Sequence, residues 1–137
     1  MTLVRLFGFL IACLVCLPAC QTGGSNSGPS SVTGTVTYRE RIALPPNSTI
    51  EVRLLDVTEA GKPATVIAEQ VIDGPGSVPV KFSLRFNPAR IDPDHRYNVS
   101  ARIINGGMLL WMSDASNPVI TQGHPTTANV LVVRATP

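Results

Sequence analysis

The chain has 137 residues, 44% of them apolar and 15% charged, and a formal net charge of +2. That length suits one domain around a single core. Its 11 Lys and Arg are interspersed with 9 Asp and Glu and form no basic cluster, which argues against a nucleic-acid surface.

The first stretch stands apart. Met1 to Arg5 carries one positive charge, and Leu6 to Leu17 is an unbroken apolar run of 12 residues. A secretory h-region takes about 7–15 such residues and a membrane-spanning helix about 20, so the run fits an export signal. The end of the run, Leu17-Pro18-Ala19-Cys20, resembles the lipobox of bacterial lipoproteins. The resemblance implies diacylglyceryl transfer to the Cys20 thiol, cleavage before it, and acylation of the freed amine. Leu10-Ile11-Ala12-Cys13 has the same letters but would leave too short an apolar run. The expected organisation is a signal peptide over residues 1–19, a lipidated Cys20 with a tether to residue 31, and a domain over 32–135. Gln21 to Ser31 has no apolar residue and is rich in Gly and Ser, as flexible linkers are. Gln21 directly after the Cys, rather than Asp, implies the outer membrane, facing the periplasm. Cys13 and Cys16 fall in the segment to be removed, so the mature chain keeps one acylated Cys and no internal disulfide.

The domain reads as strands separated by turns. Val32 to Arg39 alternates Val and Tyr against Thr, a period of two. Pro45-Pro46-Asn47-Ser48 breaks that pattern before a second strand over 49–57, and Glu59 to Pro63 precedes a third over 64–72. The Asp73-Gly-Pro-Gly-Ser77 turn leads to the clearest alternation in the chain, Val78, Val80, Phe82, Leu84 and Phe86. Tyr97 to Ile103 alternates again. Its lead-in from Asp92 is similar to the tyrosine corner of immunoglobulin-like domains, in which the hydroxyl bonds back to the preceding loop; the alternative is a Tyr that only packs. Asn105-Gly106-Gly107 signals a hairpin into Met108 to Met112, and short strands over 119–121 and 129–134 close the domain. Seven or eight short strands and no helix predict an all-β fold, an antiparallel β-sandwich of immunoglobulin or transthyretin type.

Met108, Leu109, Leu110, Trp111 and Met112 are apolar at every position, so one set must lie off the core. A two-residue turn would send Met108, Leu110 and Met112 inward; a three-residue turn would send Leu109 and Trp111. Either residues 114–127 cover the outer set, or it is a candidate partner-binding surface. Asp92, Asp94 and His95 could ligate a hard cation, but they match no metal-site spacing, and no nucleophile context surrounds Ser100 or Ser113. The expectation is a protein that is not an enzyme, with no metal and no cofactor beyond the lipid on Cys20.

Thr33 to Pro46, with its Tyr-Arg-Glu-Arg-Ile-Ala-Leu-Pro-Pro stretch, then Val52 to Val57, Phe82 to Asp92 with Pro-Ala-Arg-Ile-Asp, Tyr97 to Ile103 and Val119 to Thr121 resemble the YbaY/YscW family of lipoproteins. The resemblance covers nearly the whole domain. It implies an outer-membrane lipoprotein with a β-sandwich domain. The family's type III secretion members are pilotins, which escort secretin subunits. The expected function is therefore an anchored, non-catalytic binding module for a secretin or another envelope protein. The alternative is a housekeeping envelope lipoprotein with no dedicated client.

Overall fold

The computed structural model describes residues 30–136. The signal-peptide and lipidation residues Leu17, Pro18, Ala19 and Cys20 lie outside them. Eight strands follow in order: β1 (Ser31–Thr37), β2 (Thr49–Asp56), β3 (Thr65–Asp73), β4 (Val80–Arg85), β5 (Tyr97–Asn105), β6 (Met108–Ser113), β7 (Pro118–Val119) and β8 (Thr127–Arg134). Between β4 and β5 lies a single 3₁₀ turn, Pro88–Arg90, which Asn87 caps by accepting the Ala89 N–H.

Period-two patterning places the core. In β4, Val80, Phe82 and Leu84 are buried while Lys81, Ser83 and Arg85 are exposed. Val99, Ala101 and Ile103 of β5 face the same interior as Ile50, Val52 and Leu54 of β2, their direct cross-strand partners or neighbours in that ladder. Pro79 has no N–H to give a ladder, and β4 begins just after it. Tyr97 is buried, and its hydroxyl accepts the Asp92 N–H at 2.8 Å. The tyrosine-corner bond is therefore present.

The sandwich expectation needs correction. The strands form one mixed sheet in the order β3-β2-β5-β6-β8-β1-β4, with β7 beside β5, and this sheet is nearly closed into a barrel. The antiparallel expectation fails at one place: β1 pairs β8 in parallel, from Thr33 opposite Thr127 to Thr37 opposite Leu131. β8 joins the two parts of the sheet, because its last residues pair antiparallel with β6. One strand shared by two ladders curls the dry faces toward each other, where separate sheets would stack them. At Gly34 the β1 and β8 backbones approach so closely that a Cβ would sit 1.7 Å from the Ala128 carbonyl oxygen.

The barrel closes at the β3/β4 seam with side chains instead of a ladder. The Ser83 N–H donates to Gln70 Oε1 at 2.8 Å. The Arg90 guanidinium donates to the Ile67 and Val66 carbonyls at 2.9 and 3.2 Å. A bulge in β3 opposite Leu54 and Leu55 turns both of these successive carbonyls outward.

Strand senses give the barrel two ends. β1, β3, β5 and β8 run one way, and β2, β4 and β6 the other. Ser31, Asp56, Arg85 and Tyr97 thus share the near end, where the chain comes from its N-terminal segment. The β5–β6 hairpin lies at the far end.

Candidate functional site

The hairpin decides which apolar residues reach solvent. Gly106 and Gly107 have φ of 57° and 77°, the conformation of a two-residue type I′ turn. Asn105 accordingly faces Met108 and Ile104 faces Leu109. The register then slips: Ile103 faces Trp111, and Arg102 faces Met112. Leu110 is the extra residue of this bulge, and its carbonyl accepts the Ala135 N–H at 2.9 Å. One inserted residue reverses the side-chain alternation, so the turn has the two-residue length while Trp111 still points inward.

Of the five residues expected to bind a partner, Trp111 is corrected. It is only 3% exposed and packs as core. Its ring stacks on Tyr38 with centroids 4.7 Å apart and planes 10° from parallel. The Arg134 guanidinium lies 5.4 Å from the ring centroid, within cation–π range. Tyr38 is itself fixed by donating its hydroxyl to the Ile42 carbonyl at 2.6 Å. The indole Nε1 is buried with no hydrogen-bond partner among the described residues. Leu110 is half-buried, whereas Met108, Leu109 and Met112 are 67%, 39% and 43% exposed.

Residues 114–127 do not cover these three side chains. The segment runs beside the first half of β5: Val119 faces Tyr97, and the Val99 N–H donates to the Asn117 carbonyl at 3.0 Å. Asn117 also donates its side-chain amide to the Val99 carbonyl at 3.1 Å.

Next to Leu109 and Met112 a row of charges crosses the outer face of β3, β2 and β5. Glu69 accepts from Arg53 Nε at 2.5 Å, Arg53 reaches Glu51 at 3.3 Å, and Glu51 accepts from Arg102 Nε at 2.5 Å. Each is the cross-strand or same-strand neighbour of the next, so the ladder register builds the row. A groove of about 220 Å³ runs between these charges and the two apolar side chains. The surface thus has an apolar rim and a charge-neutral polar floor, which suits a partner with both characters.

The near end carries a second cluster. His95 Nδ1 lies 2.7 Å from Asp56 Oδ2, and its Nε2 lies 3.7 Å from Asp92 Oδ2. Asp56 Oδ1 accepts from both the Thr58 hydroxyl and the Thr58 N–H. The hydrogen bond that His95 donates to Asp56 raises the His95 pKa against a smaller opposing effect of desolvation, with the charges of Asp56, Asp92 and Asp94 adding to the rise. For Asp56, burial pushes the carboxyl up, but the bonds from Thr58 and His95 together outweigh it and hold the pKa below its ordinary value. Asp92 and Asp94 do not join His95 around a common point; Asp92 Oδ1 accepts the Asp94 N–H at 2.9 Å instead. Asp56 is the partner that sequence reading missed, because 39 residues separate it from His95.

Residues 27–132 match the family model of the type III secretion system lipoprotein chaperone, YscW. The chain belongs to the YscW family. Its resemblance to that family, legible in the Tyr38 to Pro46 and Pro88 to Asp92 stretches, is therefore established. The chain is also 38% identical over 104 residues to the uncharacterized lipoprotein YbaY of Escherichia coli strain K12. That match covers 75% of this chain and 54% of the relative, so the chain spans about half the length of the curated relative. The solved structure of an alternative pilotin from the type II secretion system of Vibrio cholerae matches with a TM-score of 0.75 at 40% identity. It covers 78% of this chain and 97% of the pilotin. As a family of lipoproteins, YscW proteins are membrane-anchored chaperones.

Proposed function

We propose that this protein is a pilotin-like chaperone of the cell envelope. A lipid on Cys20 holds it to the outer membrane, facing the periplasm, and it binds a secretin or another envelope protein without catalysis. The observation that carries this reading is the match to nearly the whole of a pilotin, together with an apolar hairpin that nothing in the described chain covers. Lipid attachment suits the role, because two or more acyl chains hold a protein stably where a single one does so only marginally.

Met108, Leu109 and Met112 are the contact residues in this reading, with Arg102 and Glu51 setting orientation. Fully burying one such apolar side chain contributes about 1.5–3 kcal/mol, and Met adapts to irregular partner surfaces. The far-end position supports the reading, because a client there is held away from the bilayer.

In-cell photo-crosslinking from positions 109 and 112, with position 111 as the buried control, tests it. The expected result is one dominant envelope partner from 109 and 112 and none from 111. No partner at either outer position would leave the housekeeping reading. Fractionation of Cys20→Ser tests the anchor separately: the variant should leave the membrane fraction, and normal membrane retention would refute lipidation at Cys20.

A further inference from the structure

A cleft of about 240 Å³ opens at the near end of the barrel, opposite the hairpin. Arg96, Ser116, Thr121, Gln122 and His124 supply its polar lining, and no carboxylate lines it. Asp56, which lies next to the lining residue Val57, is already occupied by Thr58 and His95.

The backbone around the cleft is held in a costly shape. Ile120 has φ of 74°, which a β-branched residue rarely adopts, and Gln122 and Gly123 have φ of 59° and 81°. The strain is held by four bonds: Ile120 N–H to the Pro125 carbonyl at 2.9 Å, Thr121 N–H to the Val119 carbonyl at 2.9 Å, His124 N–H to the Thr121 carbonyl at 3.1 Å, and Thr121 hydroxyl to the His95 carbonyl at 2.6 Å. The resulting turn leaves the successive N–H groups of Gln122 and Gly123 without an acceptor among the described residues. Successive amides in this kind of conformation form an anion-binding concavity. Arg96 is fixed beside it, donating its backbone N–H to Thr58 Oγ1 at 2.9 Å and one guanidinium nitrogen to the Thr58 carbonyl at 3.2 Å. A guanidinium held on one side presents its other N–H groups as a fork suited to phosphate oxygens.

We propose that this cleft binds a phosphate-type oxyanion, with Arg96, His124 and the Gln122 amide as its donors and the neighbouring Gly123 amide at its edge. Two sources carry that chemistry, a phospholipid headgroup and free phosphate. The choice between them rests on the anchored reading above, since a lipid on Cys20 would keep the near end within a short tether's reach of the headgroups. A headgroup bound there would orient the barrel on the membrane with the hairpin outward.

The test uses the processed, lipidated protein, isotope-labelled, in non-ionic maltoside micelles. Inorganic phosphate and a short-chain phosphatidylglycerol are titrated separately, and the amide signals of Gln122, Gly123 and His124 are followed. A saturable shift of these signals is expected, weakened about tenfold in Arg96→Gln, as loss of one charge-assisted bond requires. Saturation at lower concentration by phosphatidylglycerol assigns the headgroup; the reverse order assigns free phosphate. No saturable shift from either ligand overturns the proposal. So does unchanged affinity in both Arg96→Gln and His124→Gln. Fractionation of Cys20→Ser judges the anchor independently: a Cys20→Ser chain that stays in the membrane removes the lipid argument, while phosphate binding would still stand.

Discussion

Gly34→Ala should be the most destabilising single-methyl addition in this domain. The new Cβ would lie 1.7 Å from the Ala128 carbonyl oxygen and 2.7 Å from its carbon, whereas real Cβ contacts essentially never fall below 3.0 Å. The obstacle is backbone, so no rotamer change relieves it, and the β1 and β8 backbones must part by more than an ångström. That opening takes the flanking ladder bonds past hydrogen-bonding distance. Losing two of them, in a stretch of the pair that is only partly buried, costs about 1–3 kcal/mol, and the strain of parting two strands adds to it. The whole domain is expected to have only about 5–15 kcal/mol to lose. Gly61→Ala is the control: Gly61 has φ of +80° with open space around its Cβ position, so only the backbone conformation is penalised, at about 1–2 kcal/mol. Urea unfolding followed by circular dichroism reads both, with an expected slope of about 1–3 kcal/mol per molar. A Gly34→Ala protein within about 1 kcal/mol of the parent, with unchanged slope, would refute the close β1–β8 crossing and with it the barrel.

The hairpin register separates structural from docking residues. Trp111→Ala should cost about 3–5 kcal/mol, as for other buried aromatics, while Met108→Ser and Met112→Ser should each stay within about 0.5 kcal/mol and lose only partner crosslinking; equal stability losses at 111 and 112 would contradict the bulge at Leu110. The His95–Asp56 pair should give a pH-dependent stability. His95 has a raised pKa when folded, so its contribution is full below about 6.5 and is lost as pH rises through the folded value. Asp56 has a lowered pKa, so its contribution is present above about 3.9 and is lost as pH falls through the folded value. The urea midpoint of the parent should therefore drop between pH 6 and pH 8 relative to His95→Gln, and parallel profiles would show that the pair does not couple to folding.

Strand positions were legible because alternation is a one-dimensional signal. Val80, Phe82 and Leu84 announce a wet and a dry face whatever the strand pairs with. The same signal does not say which strands meet. Thr35 and Asn129, whose side chains bond at 3.1 Å, are 94 residues apart, and nothing local to either marks a parallel pair or a closing sheet. The hairpin defeated the reading for a different reason. Met108 to Met112 has no alternation to read, so the extra residue at Leu110, and hence the burial of Trp111, leaves no trace in the sequence. Tyr97 was legible as a corner because its partner at Asp92 is only five residues away. The cleft at Arg96 and His124 was not, because the segment 114–127 folds back beside β5 to build it.

The side-chain closure of the β3/β4 seam has a consequence for a protein crowded onto a surface. Molecules confined to a membrane meet one another at high density and in a shared orientation, conditions under which an open strand edge templates growth of one sheet into the next. Arg90 already holds two β3 carbonyls, and Gln70 already takes an amide of β4. A neighbour would have to displace the Arg90 guanidinium from β3 or the Gln70 amide from β4 before the first intermolecular rung could form. The seam thus guards these edges of β3 and β4 against pairing with a second copy, while Met108, Leu109 and Met112 stay exposed at the other end.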